Sequence, residues 1–397
     1  MKTIGILGGG QLGGMLCESL MKLGARVMFY DPDPHSPSFF RSPYHYQGEW
    51  NDFNKLKEFF SKCDVVTYEF ENVSTELLNS LVQETSTPLI PSAHALTTTQ
   101  NRIYEKNFLK ENQFPVCAFF EIKNYEYISL TTKHLSFPFI LKTATGGYDG
   151  KGQWFIADHN DLNKFANQFT KDNFVPLIAE EKIDIECEAS CIVARDFNGN
   201  TVCFPIFDNV HAHHILKHTT VPSQLPDSVQ NELKNIAIKA AEKLNVVGLL
   251  TTEFFITKQK SNYTHQNSVN GFYVYVNEFA PRPHNSGHIT RNACNLSQFD
   301  AHARVLLNLP LHQPKLHPGY YCMGNLLGDC WISQGNKSEL NLSSWQHQPE
   351  IIDVILYGKL EAKTNRKMGH FVSYSQNNGE HILAAERFEK GLNEKSS

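Results

Sequence analysis

The first hundred residues alternate short apolar runs with segments whose apolar residues recur at helical spacing. The run TIGIL is followed by a glycine-rich turn and by QLGGMLCESLMKL, in which leucine returns every three or four residues. RVMFYD, CDVVTYEFEN and TPLIPS are predicted as further strands, with NDFNKLKEFFSK and STELLNSLVQET as helices between them. Repeated strand–helix alternation predicts an open parallel sheet over residues 1–95.

Strand-like segments dominate from residue 96 onward, after the predicted helix TQNRIYEKNFLKEN. FPFILKTATGGYDGKGQWFI predicts two strands around a glycine-rich hairpin, and VPLIAEEKIDIECEASCIVARDFNGNTVCFPIF predicts more strands with a turn at FNGN. The helix SVQNELKNIAIKAAEKLN precedes the strands VVGLLTTEFFIT and GFYVYVNEFA. GYYCMGNLLGD, IIDVILYGK and HFVSYS predict a small, mostly-β module over residues 296–397. The expected fold class is therefore α/β with α+β parts.

Composition narrows the class of partner. The 397 residues carry a net charge of −5, with 41% hydrophobic and 19% charged residues, so two or three domains are expected. The sequence has no excess of positive charge of the kind that binds nucleic acid. Without such a basic surface, a small-molecule substrate is the expected partner. No apolar run approaches the roughly 20 residues that a membrane-spanning helix needs. Nine cysteines without a CxxC pair, and an N-terminal segment that does not resemble a signal peptide, predict a cytoplasmic protein.

A glycine turn lies between the first predicted strand and the first predicted helix. Gly8, Gly10 and Gly13 fit the pattern G-x-G-x-x-G, and Asp31 follows the second strand, as in dinucleotide-binding folds. Such a turn favours an anion at the helix N-terminus. NAD, another anionic ligand and a purely structural turn are all open interpretations, of which a ligand other than NAD is favoured.

A second glycine-rich stretch, TGGYDGKGQW, spans residues 145–154. Its glycines could wrap a phosphate and Lys151 could neutralise one, but Gly152 stands where a P-loop needs Ser or Thr. The stretch is therefore either a nucleotide-binding loop of another kind or a glycine-rich surface hairpin.

Two acids stand inside strongly apolar strands. Glu253 lies in TTEFFIT and Glu278 in YVYVNEFA, and these strands are expected to pair as a hairpin. Facing carboxylates repel unless a cation lies between them, and Mg²⁺ uses one or two carboxylates together with phosphate oxygens. A metal–phosphate site is favoured over outward-facing acids. The loop EFAPRPHNSGH follows at once and adds a dense set of polar donors: Arg282, His284, Asn285, Ser286 and His288.

Three other polar segments have plain structural interpretations beside functional ones. Glu69 and Glu71 end the third strand, where open sheets bind ligands and where solvated acids are equally common. KTNRKMGH is typical of a solvated basic loop. In HAHHILKH, strand alternation would place His211 and His213 on one face, but no cysteine or acid completes a convincing zinc set.

Taken together, these features resemble the ATP-grasp superfamily and, more narrowly, the N5-carboxyaminoimidazole ribonucleotide synthetase family of purine biosynthesis. The segments that carry the resemblance run in family order over almost the whole chain: LGGGQLG, TYEFENV, GGYDGKGQ, VARDFNG, NEFAPRPHNSGH, SQFDAH and NRKMGH. The resemblance implies an ATP-grasp domain over residues 96–295, with a glycine-loop subdomain over about 115–180, between the N-terminal and C-terminal domains.

The resemblance also implies the reaction and its participants. ATP would phosphorylate bicarbonate, and the amine of aminoimidazole ribonucleotide would attack the resulting carboxyphosphate or the CO₂ that it releases, giving ADP and phosphate. Mg²⁺, or Mn²⁺ in its place, would bind the nucleotide phosphates, and the chain would form a homodimer.

Residues of this chain match the family's motifs position by position. ATP-binding positions are matched by Arg102, Lys142, Gly147, Tyr148, Asp149, Gly150, Lys151, Gly152, Gln153, Glu180, Glu181, Ile183, Glu188, His211, Asn277 and Glu278. Metal-ligand positions are matched by Glu253 and Glu278. Ribonucleotide-binding positions are matched by Gln11, Leu12, Glu71, Tyr148, Asp149, Lys359, Arg366 and Lys367. Positions near the reacting groups are matched by Arg282, His288, Lys151 and Asp149.

Some positions depart from the family's pattern, and three rival functions follow from the same residues. Gly14 and Ala144 replace usual arginines, while His213 and His214 replace Asp-Gly. An NAD-dependent oxidoreductase would explain the first glycine turn but not the two acid-bearing strands. A non-catalytic nucleotide sensor would not need those acids, and a formate- or biotin-using ligase fits GGYDGKGQ and NRKMGH less well.

Overall fold

The N-terminal part of the protein is an open parallel sheet, as the sequence predicts. The computed structural model describes residues 1–147, 151–261, 267–335 and 338–393. The strands of this first sheet are β1 (Thr3–Leu7), β2 (Arg26–Asp31), β3 (His45–Gln47) and β4 (Val65–Tyr68). They pair in parallel in the order β3-β2-β1-β4. The segment TPLIPS forms only a single bridge, Val66 to Leu89, because its two prolines lack the N–H that a ladder needs.

Helices cover both faces of this sheet. Successive side chains of β1 point to opposite faces, so each face has apolar side chains to bury. The helices here are α1 (Gln11–Lys22), α2 (Phe53–Ser61), α3 (Thr75–Thr85) and a 3-10 helix (Pro37–Phe40). Ile4 and Ile6 pack with α1 and with a later helix at Gln298–Leu306, while Leu7 packs with α2 and α3. A helix from the last hundred residues thus completes the N-terminal layer, and the domain limits 1–95, 96–295 and 296–397 stay predictions.

The strands on either side of the glycine-rich stretch belong to a second, antiparallel sheet. Helices α4 (Ala93–Gln100) and α5 (Arg102–Glu111) precede it, separated by Asn101, whose side chain caps α5. The strands are β5 (Phe119–Ile122), β6 (Phe139–Thr143), β7 (Gln153–Ile156) and β8 (Leu177–Glu181), in the order β5-β8-β6-β7. A 3-10 helix (Tyr125–Lys133) and α6 (His159–Ala166) cover the sheet. The pairing of β6 with β7 confirms the predicted hairpin.

The remaining strands form one large sheet that runs into the C-terminal part. They are β9 (Cys187–Arg195), β10 (Thr201–Cys203), β11 (Phe207–Ala212), β12 (Ile215–Val221), β13 (Gly248–Thr257), β14 (Tyr273–Ala280), β15 (Tyr320–Leu327), β16 (Ile351–Leu356) and β17 (Lys367–Ser375). The order is β14-β13-β9-β11-β12-β15-β17-β16, with β10 on β9. The pairing of β12 with β15 places the basic C-terminal segment in the same sheet as the two acidic strands.

The helices of this part pack on the large sheet and its edges. They are α7 (Asp227–Lys243), α8 (Thr290–Ala293), α9 (Gln298–Leu306), α10 (Gly328–Ser333), α11 (Glu380–Asn393) and the 3-10 helices Ser286–Ile289 and Ser343–His347. α7 lies over β9 and β13 in an apolar cluster. None of the helices in the described ranges has both the length and the apolarity that a membrane span requires.

Candidate functional site

Two carboxylates face each other on adjacent strands of the large sheet. β13 and β14 pair with Glu253 directly opposite Glu278, as predicted, and the register then shifts so that Asn277 forms a bulge. Burial and the neighbouring Glu253 raise the pKa of Glu278. Within the described ranges no three His, Cys, Asp or Glu side chains group as a metal site. Two carboxylates suffice for Mg²⁺ when phosphate oxygens complete its coordination.

His284 binds one of these carboxylates and ties it to the sheet. Its Nε2 lies 2.7 Å from Glu253 Oε1, and its Nδ1 lies 2.9 Å from Ser286 Oγ. Ser286 Oγ lies 2.8 Å from Ser190 Oγ on β9. Burial alone would raise the pKa of Glu253. The neighbouring His284, together with His211 and Arg282, favours the charged carboxylate more strongly, so the pKa of Glu253 is lowered. No sequence signal separates His284 from His288, because both stand in the same donor-rich loop.

His288 lies in a buried, aromatic environment. Its ring is fully buried and packs 5.8 Å from Phe299 and 4.9 Å from His370, measured between ring centroids. Burial and the neighbouring His370 hold the pKa of His288 well below its usual range. In the described structure it is therefore His284 that pairs with Glu253, and a role of His288 near bicarbonate stays a prediction.

Arg282 joins the end of β14 to the N-terminal sheet. Its Nη2 lies 3.0 Å from Glu71 Oε2, and its Nη1 donates to the carbonyl oxygen of Pro283 over 3.0 Å. Glu71 follows β4 by three residues, at the carboxyl edge of the parallel sheet. One predicted ribonucleotide-binding residue and one predicted catalytic residue are thus brought into direct contact.

A buried cation pair surrounds Glu180 on β8. Lys142 Nζ lies 3.0 Å from Glu180 Oε2 and Lys106 Nζ lies 3.6 Å from it. Burial opposes ionisation of Glu180, but Lys106 and Lys142 outweigh it and lower the pKa of Glu180 to about 2. Lys106 also donates to the bulge carbonyl oxygen of Asn277 over 2.8 Å. Sequence reasoning missed Lys106, although it stands between Ile103 and Leu109 at helical spacing on the buried face of α5.

Arg102 holds the base of the glycine-rich hairpin. Its Nη1 and Nη2 donate to the carbonyl oxygens of Thr143 and Gly147, each over 2.9 Å. On the other arm Gly152 has φ +70°, and a Cβ there would lie 2.7 Å from Thr143 Oγ1, so only glycine fits. Gln153 is the first residue of β7, and Lys151 lies two residues before it. Tyr148, Asp149 and Gly150 lie outside the described residues.

The predicted adenosine-binding residues lie at the ends of β8 and β9. Glu181 ends β8, its Oε2 accepts a hydrogen bond from Ser261 Oγ, and Ile183 follows two residues later. Glu188 on β9 lies 2.9 Å from His211 Nδ1 on β11, measured from Glu188 Oε2. Burial alone would lower the pKa of His211, but the hydrogen bond and the negative charge of Glu188 raise this pKa above its usual value. Glu181 thus ends a strand of the second sheet, while Glu188 and His211 pair within the large sheet.

His213 and His214 of HAHHILKH lie in a turn, whereas His218 lies on β12. β11 ends at Ala212, and His213 and His214 have φ of 51° and 65°, as in a two-residue hairpin turn that favours Asn, Asp or Gly. The predicted common face of His211 and His213 is therefore wrong, because strand alternation stops before His213.

The basic C-terminal segment lies against the N-terminal sheet domain. Lys359 Nζ donates to the carbonyl oxygen of Lys367 over 2.6 Å, and Arg366 Nη1 donates to that of Glu361 over 2.8 Å. Burial and the neighbouring Arg366 lower the pKa of Lys359 to about 8. Tyr357, two residues before Lys359, packs in the same apolar cluster as Leu12. The Leu12 side chain is buried there.

The first glycine turn binds the protein's own carboxylates. Gly10 N–H donates to Glu69 Oε1, and Gly13 N–H donates to Glu69 Oε2 over 2.6 Å. Gly9 N–H donates to Asp31 Oδ2 over 2.7 Å. The anion at the N-terminus of α1 is therefore a side chain of the protein itself in the described structure, and an anionic ligand at this turn stays a prediction.

Fold and site together define an ATP-grasp protein. A family model of the ATP-grasp domain matches residues 107–299, and one of the ribonucleotide synthetase preATP-grasp domain matches residues 1–100. A model of the phosphoribosylaminoimidazole carboxylase C-terminal domain matches residues 322–383. The chain belongs to the N5-carboxyaminoimidazole ribonucleotide synthase family, which excludes the rival oxidoreductase.

Similar proteins cover nearly the whole chain. The N5-carboxyaminoimidazole ribonucleotide synthase of Staphylococcus haemolyticus is 36% identical over 94% of this chain and 93% of its own length. A bifunctional purine synthesis protein of Dictyostelium discoideum is 34% identical over 93% of this chain, which spans only 36% of that larger protein. The Staphylococcus aureus synthetase complexed with ADP has a TM-score of 0.86, 33% identity and coverage of 98% and 97%. An Aspergillus clavatus enzyme with ADP and 5-aminoimidazole ribonucleotide has a TM-score of 0.83, 26% identity and 99% coverage of both chains.

Proposed function

We propose that this protein is an ATP-dependent ligase that carboxylates 5-aminoimidazole ribonucleotide with bicarbonate in purine biosynthesis, releasing ADP and phosphate. The observation that carries the proposal is the meeting of three groups at one place. The facing Glu253 and Glu278 suit nucleotide phosphates, while Arg282 reaches from them to Glu71 of the sheet domain. The contact between Arg282 and Glu71 would therefore join the site of phosphoryl transfer to the site of the second substrate.

ATP would bind between the second sheet and the large sheet. Lys142 and Arg102 supply positive charge at the base of the glycine-rich hairpin, and Glu180, Glu181 and Ile183 stand where β8 ends. Glu188 and His211 form the neighbouring acceptor and donor pair for a ribose. The hairpin from Gly147 through Lys151 and Gly152 to Gln153, with Tyr148, Asp149 and Gly150, would close over the triphosphate and exclude water.

Glu253 and Glu278 would hold Mg²⁺, or Mn²⁺, beside the bulge at Asn277. The fit rests on their facing positions and on the raised pKa of Glu278, which burial and the charge of Glu253 cause. The bound ion would neutralise phosphate oxygens during phosphoryl transfer. Lys106 fixes the carbonyl of Asn277 and Glu105 accepts from Phe279 N–H over 2.7 Å, so the strand on each side of Glu278 is held from α5.

Carboxyl transfer would take place beside Arg282. A bicarbonate oxygen attacks the γ-phosphorus of ATP and ADP leaves, giving carboxyphosphate. The amine of the ribonucleotide then attacks the carboxyl carbon, or the CO₂ released from it, and inorganic phosphate leaves with loss of the amine proton. Arg282 presents a planar guanidinium that suits a carboxylate, and His284 stands next to it, between Glu253 and Ser286.

The ribonucleotide would lie between the sheet domain and the C-terminal strands. Lys359, Arg366 and Lys367 would bind its phosphate, with Glu71 and the backbone of Gln11 and Leu12 on the ribose side. Support comes from the contact of the 357–359 segment with the N-terminal apolar cluster.

The chain would act as a homodimer in the cytoplasm. Its nine cysteines are free, and seven of them are buried among the described residues, as expected for thiols used as small apolar side chains. Sedimentation of the purified protein would test the oligomeric state.

Release of ADP should require both bicarbonate and the ribonucleotide, because the phosphoryl acceptor and the amine are separate substrates. The measurement is ADP formation with ATP and Mg²⁺, omitting each co-substrate in turn, together with detection of the carboxylated product. Full ADP release without the ribonucleotide, or none with every substrate present, would contradict the proposed function.

The reaction should lose efficiency in mildly alkaline solution. The pKa of Lys359 is lowered to about 8, so its ammonium is present below that pH and is lost above it. We expect kcat/KM for the ribonucleotide to fall as pH rises through about 8, since a neutral amine binds phosphate weakly. Lys359→Arg should remove this alkaline limb because a guanidinium stays protonated. An unchanged limb in that variant would exclude Lys359 as its source.

A further inference from the structure

The G-x-G-x-x-G turn between β1 and α1 is shaped around Glu69. A Cβ at Gly10 would lie 2.5 Å from Glu69 Oε1, and one at Gly8, where φ is +104°, would lie 2.5 Å from Glu69 Cγ. At Gly8 the backbone itself favours glycine, and at both positions a side chain would collide with Glu69 in its present place. Glu69 directly follows β4, the parallel neighbour of β1, so the sheet carries it over the turn.

The Glu69 carboxylate lies where these folds bind a phosphate. Its two oxygens accept from the amides of Gly10 and Gly13, on either side of Gln11 and Leu12 in the first turn of α1. Amides at a helix N-terminus with an aligned dipole bind an anion of this kind. An incoming dinucleotide phosphate would meet both the occupied donors and the negative charge.

Glu69 is also surrounded by the groups assigned to the ribonucleotide. It interacts electrostatically with Lys359, which is proposed to bind the substrate phosphate, and with Arg282, which is proposed to bind the carboxyl group. Glu71 stands two residues further along the same chain segment. Loss of the carboxylate would release the turn and leave these two cations with less negative charge around them.

We propose that Glu69 is a positioning residue, an internal carboxylate that stands in for a bound phosphate, fixes the Gly8–Gly13 turn for the ribonucleotide and keeps dinucleotide phosphates out. Its effect on the ribonucleotide rests on the proposed function; its occupancy of the turn does not. A helix cap that served stability alone would leave the balance between the two substrates unchanged.

The deciding variant is Glu69→Ala, which leaves a carboxylate-sized gap at two amides. We expect KM for the ribonucleotide to rise at least about tenfold while KM for ATP stays within about twofold, because charged hydrogen bonds are lost only at the turn. Added formate should restore KM, since it can occupy the gap, whereas formamide, a neutral molecule of similar size, should not. Equal changes in both KM values, or no rescue of a folded variant, would overturn the proposal.

Three further measurements keep the result decisive. Glu76→Ala removes an exposed acid from the first turn of α3, and both KM values should stay unchanged. If Glu69→Ala does not fold, Glu69→Gln keeps the volume but offers one amide a donor; an unchanged KM for the ribonucleotide in it would overturn the proposal. Formate should raise the melting temperature of Glu69→Ala but not of the wild type, which tests occupancy even if the wild type shows no carboxylation.

Discussion

Glu278→Gln is expected to lower kcat for Mg²⁺-dependent ADP release at least about 100-fold, because a metal ligand is lost where phosphoryl transfer needs charge neutralisation. The fold should survive. Without metal the variant should be as stable as the wild type or more so, since Glu253 raises the pKa of Glu278 and the neutral amide removes their repulsion.

The measurement pairs turnover with ligand-dependent melting. Mg²⁺ together with ADP should raise the melting temperature of the wild type more than ADP alone, and this difference should disappear in Glu278→Gln. Glu186→Gln is the matched control: Glu186 lies just before β9 on the exposed surface, paired with Lys258, and its loss should leave turnover and melting unchanged. Undiminished turnover in Glu278→Gln would refute a metal role.

The pairing of Glu253 with Glu278 could be predicted from sequence because the physical constraint is local. Both acids interrupt apolar strands joined by a short polar segment, and such strands pair antiparallel. The bulge at Asn277 could not be predicted, since it depends on Lys106 and Glu105, which lie far away in sequence and reach β14 only after α5 packs. The intrinsic preference of a residue for helix or strand does not predict contacts between residues so far apart in sequence.

The first glycine turn shows how a local motif underdetermines its ligand. The pattern correctly predicts a turn, a helix start and an anion at its N-terminus. The identity of that anion depends on Glu69, which lies 56 positions after Gly13 in the chain and is brought back to the turn by β4. The same limit applies to Gly14, where a Cβ would lie 2.8 Å from Arg41 Nε, so a distant arginine fills the space beside a position that departs from the family's pattern.

The different surroundings of His284 and His288 could not be predicted from sequence. Both follow β14 within a few residues, but His288 belongs to the 3-10 helix Ser286–Ile289 and is fully buried, whereas His284 precedes that helix. His288 meets His370 of β17 only because the C-terminal strands join the large sheet. The C-terminal segments predict a small, mostly-β module, and the hydrogen bonds between β12 and β15 join its strands to the large sheet.

Arg282→Lys is expected to lower kcat/KM for bicarbonate about 100-fold, since lysine keeps the charge but loses the planar pair of donors that suits a carboxylate. KM for ATP should change little, because Lys142 and Arg102 rather than Arg282 stand at the hairpin that would cover the triphosphate. The measurement is initial rate against bicarbonate and against ATP, each at saturating concentrations of the other substrates.

Arg282 binds Glu71 as well, and a double-variant cycle separates the two functions. If Arg282 acts partly by holding Glu71, Arg282→Lys combined with Glu71→Gln should cost less than the sum of the single losses, since contacting residues couple. Arg304→Lys, on α9 with its guanidinium on the carbonyl oxygen of Pro310, is the matched control and should leave bicarbonate kinetics unchanged. A bicarbonate KM and kcat in Arg282→Lys within about twofold of the wild type would remove Arg282 from carboxyl transfer, because loss of a guanidinium donor to a transferring carboxylate has far larger effects.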